Sequence, residues 1–180
     1  VLSGLDAPNV TRTPYRRDAH LTIGHFGSLS RTRNLQVFLQ ALRKIIEHDP
    51  QRSVQIQLHI YGGGVDAVSA HAIKEFPYPE VIKQFGRLET DPATGESGRT
   101  RVLKRMNAVD CLLLLHGIEP FCEEYIPSKM FEYLWTQRPI LALVHRNPQM
   151  TGILRDLGHW AVAADDTEQI AKALEELHAR

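Results

Sequence analysis

Two carboxylates, Glu124 and Glu132, stand eight positions apart in the run Glu124-Tyr-Ile-Pro-Ser-Lys-Met-Phe-Glu132. Between them, Pro127 and Ser128 are suited to open a helix. A proline at the first helical position gives up an N–H that has no intrahelical partner anyway, and its fixed φ suits the first turn. The unpaired N–H groups and positive dipole end of such a helix attract anions. Glu124 would lie just before the helix and Glu132 more than a turn inside it. A ligand with phosphate at the helix start and hydroxyls on either side would meet both acids, and nucleotide sugars have that layout. The plain alternative is an amphipathic helix with solvated glutamates, since glutamate is a common helix residue.

The elements that must position these residues can be read from hydrophobic periodicity. Residues 21–26 read as a strand, followed by a helix over 34–46 with Leu35, Phe38, Leu39, Leu42, Ile45 and Ile46 on one face. A second strand over 54–61 ends in the triple glycine Gly62–Gly64, and a helix follows over 65–75. Residues 81–85 form a short third strand, 97–106 a basic helix, and 109–115 the most buried strand. The helix near Pro127, a strand over 140–144, a helix over 151–157 and a short strand over 160–162 complete the pattern. The last helix starts from a capping box at Asp166-Thr-Glu-Gln169. Strands alternating with helices predict right-handed βαβ units. The expected fold is α/β: a doubly wound Rossmann-like domain with a parallel sheet of about six strands and ligands outside the strand carboxyl ends. We expect residues 1–20 to be a lead-in segment and 21–180 the domain. No G-x-G-x-x-G follows the first strand, which disfavours a dinucleotide cofactor.

The 180 residues suffice for one domain with a real core, and a formal net charge of zero gives no electrostatic argument for nucleic acid. Cys111 and Cys122 have no metal or redox spacing, and no H-E-x-x-H is present. Neither a membrane span nor a signal peptide is evident. These features predict a cytoplasmic setting, no metal and no cofactor.

Four segments in order, His25-Phe-Gly-Ser-Leu-Ser-Arg-Thr-Arg-Asn34, Leu58-His-Ile-Tyr-Gly-Gly-Gly64, Val81-Ile-Lys-Gln-Phe-Gly-Arg-Leu88 and Asp110 through Arg138-Pro-Ile-Leu-Ala-Leu-Val144, carry a family resemblance. Together they resemble the C-terminal, donor-binding domain of retaining GT-B glycosyltransferases of family four, group 1, over roughly residues 21–177. The resemblance implies that Glu132 accepts the nucleotide ribose hydroxyls and Glu124 meets the transferred sugar. Glu123 and Glu119 compete with Glu124, because this loop departs from the family's E-x-F-G. It further implies that the segment Tyr125, Ile126, Pro127, Ser128 and Lys129 meets the diphosphate through backbone N–H groups, that Gly86, Arg87 and Leu88 receive the base, and that Gly27 and Ser28 border the phosphates. Arg33 falls at the place of the family's phosphate-clamping lysine, with Arg31 close by. Ser28 replaces the family's other clamping cation, an arginine.

The implied function is binding of a nucleoside diphosphate sugar for transfer to an acceptor hydroxyl, in polysaccharide or glycolipid synthesis. Without an initial methionine, and by the resemblance, the chain is expected to be a domain from a longer protein, its N-terminal acceptor-binding domain being the missing partner. Peripheral contact of the full enzyme with the inner face of a membrane is compatible with this. Alternatives are a non-catalytic nucleotide-binding module and a nucleotide-sugar epimerase. Other polar residues have blander readings: His25 and His116 as hydrogen-bonded structural histidines, and Arg99, Arg101, Lys104 and Arg105 as a solvated helix face.

Overall fold

The computed structural model describes residues 10–15 and 19–180, so part of the expected lead-in segment lies outside the described residues. Six strands form one parallel sheet: β1 (Leu21–Phe26), β2 (Ile56–Tyr61), β3 (Ile82–Gly86), β4 (Cys111–Leu115), β5 (Ile140–Val144) and β6 (Trp160–Ala163). Their order is β3-β2-β1-β4-β5-β6, so the direction of winding reverses between β1 and β4. The expected Rossmann-like α/β fold is therefore the observed one. Among the described residues seven α-helices accompany the sheet: α1 (Gln36–His48), α2 (Arg52–Gln55), α3 (Ala67–Lys74), α4 (Gly98–Ala108), α5 (Ser128–Thr136), α6 (Pro148–Asp156) and α7 (Thr167–Ala179).

The alternation of side chains along each strand divides the core in two. Leu113, Leu115, Leu141 and Leu143 pack with α1 and α7, whereas Leu112, Leu114, Ala142 and Val144 pack with α4, α5 and α6. Both faces of β4 and β5 are thus covered, which explains their unbroken apolar sequence. Cys111 lies in the first of these clusters as a small buried hydrophobe, its thiol pushed up to about 12 by burial.

The differences from the sequence reading have local causes. Residues 52–55 form a helical turn instead of extending β2, because the Ser53 hydroxyl bonds the Pro50 carbonyl and Val54 remains exposed. Helix α6 starts three residues early, with Pro148 in its first turn and the Asn147 side chain accepting the Met150 N–H at 2.9 Å. Pro127 has an extended ψ of 140° and is the N-cap of α5, so Ser128 is the first helical residue. The expected capping of α7 is present: Asp166 accepts the Gln169 N–H at 2.9 Å. No helix among the described residues is long and apolar enough to cross a membrane.

Candidate nucleotide-sugar site

The site is built where β1 and β4 part. The β1–β2 ladder runs through Phe26↔Tyr61, but the β1–β4 ladder covers only Ile23↔Cys111 and Gly24↔Leu112. Beyond that point side chains replace the missing ladder. The Tyr133 hydroxyl, fully buried on α5, accepts the Phe26 N–H at 3.1 Å and lies 3.4 Å from the carbonyls of Phe26 and Leu113. From β1, His25 donates Nδ1–H to the same Leu113 carbonyl at 3.3 Å. A strand pair is thereby wedged open at the carboxyl edge with its backbone groups still bonded.

The rim on the β1–β2–β3 side is made by glycine. Gly27 donates to the Tyr61 carbonyl and Gly62 to the Gly86 carbonyl, each at 2.9 Å. Gly62 has φ +152°, and a Cβ there would stand 2.1 Å from the Gly27 carbonyl oxygen. Only glycine fits this crossing. Above the rim is a cleft of about 390 Å³ whose walls include Phe26, Tyr61, Leu88 and Val102. The Phe26 and Tyr61 rings stack at 4.7 Å, and Phe85 continues the stack at 4.7 Å from Tyr61.

Charged groups occupy the opposite side of the cleft. Arg99, at the second position of α4, and Lys129, at the second position of α5, both line it. Each cation stands in the first turn of its helix, where the macrodipole disfavours it. Both are bound to one carboxylate: Arg99 to Glu132 Oε1 at 2.9 Å and Lys129 to Oε2 at 2.8 Å. The Glu132 side chain is only 12% exposed. Burial works to raise its carboxyl, but the bonds and charges of Lys129 and Arg99 outweigh it and hold the group below the usual glutamate range. Two positive helix ends and two cations therefore meet beside one half-buried carboxylate. This arrangement can hold phosphate and hydroxyl groups of a single ligand.

The expected residues separate into two groups. Gly27, Arg87, Leu88 and Lys129 line the cleft, Gly86 supports its rim, and Glu132 holds its two cations. Ser128 is exposed at the start of α5, no side chain caps that helix, and Ile126 packs partly into the core beneath. Ser28, Arg31, Arg33 and Glu124 do not line this cleft; all four are exposed. Arg33 belongs to a tight turn closed by paired backbone bonds with Ser30, and the Arg31 carbonyl accepts the Asn34 side chain at 2.8 Å. The charge of Arg33 nevertheless reaches His25 and His116. Among the carboxylates near Glu124, Glu119 is tied to the Thr32 hydroxyl and Glu123 is 3.8 Å from Arg146.

Both histidines are hydrogen-bonded within the fold, and His25 Nε2 is buried without a partner. His116 accepts the His145 N–H at Nδ1 (3.4 Å) and donates Nε2–H to the Tyr125 carbonyl (3.1 Å), an arrangement that requires neutral imidazole. Its burial lowers the pKa and keeps it neutral. Asn147, buried on the next loop, also donates to the Tyr125 carbonyl at 3.1 Å and to the Cys122 carbonyl at 2.9 Å. These two residues fix the approach to α5. Sequence reasoning missed Asn147, Tyr133 and Arg99. Arg99 did carry a signal: a basic residue beside a helix start, where the macrodipole disfavours it.

The chain has the fold of one half of a GT-B glycosyltransferase: a six-stranded parallel sheet wound on both faces, with its crevice at the β1/β4 switch. Among solved structures, it superposes on a mutant of Staphylococcus aureus TarM in complex with fondaparinux, α-GlcNAc-glycerol and UDP. The TM-score is 0.69 at 13% identity, over 98% of this chain and 31% of that one. WaaG, a glycosyltransferase involved in lipopolysaccharide biosynthesis, gives 0.65 at 15% identity over 91% of this chain and 39% of its own. The trehalose-6-phosphate synthase OtsA gives 0.59 at 13% identity, over 89% and 39%. The chain thus spans between 31% and 39% of the length of these proteins. No protein-family model and no curated protein sequence matches it.

Proposed function

We propose that this chain is the donor-binding half of a retaining glycosyltransferase and holds a nucleoside diphosphate sugar in the cleft beside Arg99, Lys129 and Glu132. The observation that carries the reading is the half-buried Glu132 carboxylate, shared by cations from two helix starts at the carboxyl edge of the sheet. A carboxylate has about four lone-pair sites, so Glu132 can keep both cations and still accept ribose hydroxyls. The uncapped amides of α5, with Lys129 and Arg33, would stabilise charge developing on the departing diphosphate, a major source of rate in such sites. Glu124, outside the cleft, is proposed to reach the transferred sugar from the loop. UDP bound to TarM is in keeping with the nucleotide part of the donor.

The whole enzyme is proposed to add an acceptor-binding half, to transfer sugar to a hydroxyl in polysaccharide or glycolipid synthesis, and to act in the cytoplasm without a metal or further cofactor. Ser28, uncharged and exposed at the end of β1, favours a second reading, a nucleotide-binding module without transfer. Separate Glu124 and Glu132 substitutions in the full-length protein distinguish the two. Loss of sugar transfer with the fold retained supports the enzyme; unchanged activity supports the module.

Calorimetry with UDP, GDP, ADP and their sugars tests donor binding. Glu132→Gln should weaken the bound nucleotide by the worth of a charged hydrogen bond, about 1.5–3 kcal/mol. The same substitution releases Arg99 and Lys129, so inorganic diphosphate should bind at least as tightly as before. Equal weakening of both ligands would remove the ribose role.

A further inference from the structure

Where the β1–β4 ladder stops at Gly24↔Leu112, the next residue of β1 spans the opening with its side chain. His25 donates Nδ1–H to the Leu113 carbonyl of β4 at 3.3 Å, so its imidazole bridges the gap from which the crevice opens. A carbonyl only accepts, so Nδ1 carries the hydrogen, and in the neutral ring Nε2 is a bare acceptor. That nitrogen is buried and has no hydrogen-bond partner. Tyr133, which bonds across the same gap, has its hydroxyl within reach of three backbone groups. Buried polar atoms are normally paired, so an orphan at the switch in strand order calls for a partner from outside the fold. The way in is short: Ser28 is already exposed, and a Cβ at Gly27 would meet nothing within 4 Å.

The surroundings of the ring favour an anion. The charges that bear on it are those of Arg33, from the turn before α1, and Lys129, from the first turn of α5. Its neighbours on the flanking strands, Ile60 of β2 and Leu113 of β4, are uncharged. We infer that His25 takes up a proton as the donor binds and gives Nε2–H to an oxygen of the diphosphate, as a third cation beside Arg33 and Lys129. The proton comes from solvent and adds to the free Nε2 lone pair; no bond of the ligand is made or broken. Without ligand, burial holds the ring neutral, opposed by the Leu113 bond and assisted by Arg33 and Lys129. A diphosphate reverses that balance, because it offsets both cations and offers an acceptor to the charged ring. This role rests on the donor-binding reading and extends it to a residue outside the cleft wall.

Calorimetry of the 180-residue chain with UDP-glucose, GDP-mannose and ADP-glucose tests it, because the phosphates of these diesters do not themselves titrate near neutral pH. Titrations near pH 6.5, the ordinary histidine value, in two buffers of unlike ionisation enthalpy count the protons taken up. The ligand that binds should bring a net uptake of up to one proton, and its affinity should rise by up to about tenfold for each unit the pH falls. His25→Gln, which keeps a donor for Leu113, should bind more weakly at that pH and lose both effects. Binding without proton uptake, or with equal uptake in His25→Gln, overturns the role and leaves the donor reading intact; a sugar hydroxyl donating to the neutral ring would give the first result. If none of the three ligands binds the wild type, the donor reading falls and this role with it. Should His25→Gln fail to fold, nitrogen-15 shifts of the wild-type His25 ring decide. Ligand should move both nitrogens to imidazolium values, and a ring that stays neutral overturns the role.

Discussion

Arg99 of α4 and Glu132 of α5 meet at 2.9 Å, joining two helices that otherwise pack through the apolar side chains beneath them. Because Lys129 binds the other carboxylate oxygen, the acid is ionised in the folded protein at a pH where a free glutamate would begin to protonate. A carboxyl lowered on folding contributes stability above its unfolded pKa and loses it as the pH falls through the folded value. Wild type should therefore be more stable than Glu132→Gln at neutral pH, with the gap closing as acid is added below the ordinary glutamate range. Urea titrations of both proteins across that range measure it. A gap independent of pH would show that the ion pairs are not its source.

Tyr133→Phe removes one oxygen and leaves the Phe26 N–H buried without an acceptor. Such a loss costs about 1–3 kcal/mol. Denaturant unfolding should show this as a lower midpoint at unchanged slope. If the midpoint does not move, the phenol is not what keeps the β1 end bonded.

Gly62→Ala forces a methyl group to within 2.1 Å of the Gly27 carbonyl oxygen, in a backbone conformation L-residues avoid. Gly63→Ala meets nothing within 4 Å and has no positive φ. The first should abolish or strongly weaken nucleotide binding and lower thermal stability. The second should stay within about 0.5 kcal/mol of wild type. Equal behaviour of the two would contradict the proposed crossing of the β1 and β2 ends.

His25 is buried, and desolvation lowers its pKa to about 4, opposed by the Leu113 bond and assisted by Arg33 and Lys129. The unfolded chain would take up a proton at this residue near pH 6.5 and the folded chain only near 4. Stability is thus full above the unfolded value and falls with pH between the two. His25 alone contributes a slope of at most about 1.4 kcal/mol per pH unit. His25→Gln, which can still donate to Leu113, should flatten the stability profile over that interval. A profile with the wild-type slope would count against the buried neutral imidazole.

How far the sequence reveals this molecule depends on the range of the interaction. β1 and β5 were legible to the residue because apolar runs flanked by turn residues define them locally. The helix at Pro127 was legible too, though its first residue shifted by one because a proline φ suits both the N-cap and the first turn. In the site, Glu132, Lys129 and Arg87 could be named from motif position. Arg99 could not be assigned, because its bond spans thirty-three positions and its neighbours Arg101, Lys104 and Arg105 look alike in sequence. Tyr133 and Asn147 were hidden for a similar reason. Each acts on backbone groups of distant segments, which leave no pattern in side-chain spacing.

The Tyr133 phenol has a wider consequence. It bonds the end of β1 where the ladder to β4 stops, so the sheet opens at its carboxyl edge without leaving the Phe26 N–H unpaired. Recognition and folding then depend on separate atoms: loops above the opening can acquire new chemistry while the Tyr133 phenol and the His25 imidazole below keep the strand ends bonded.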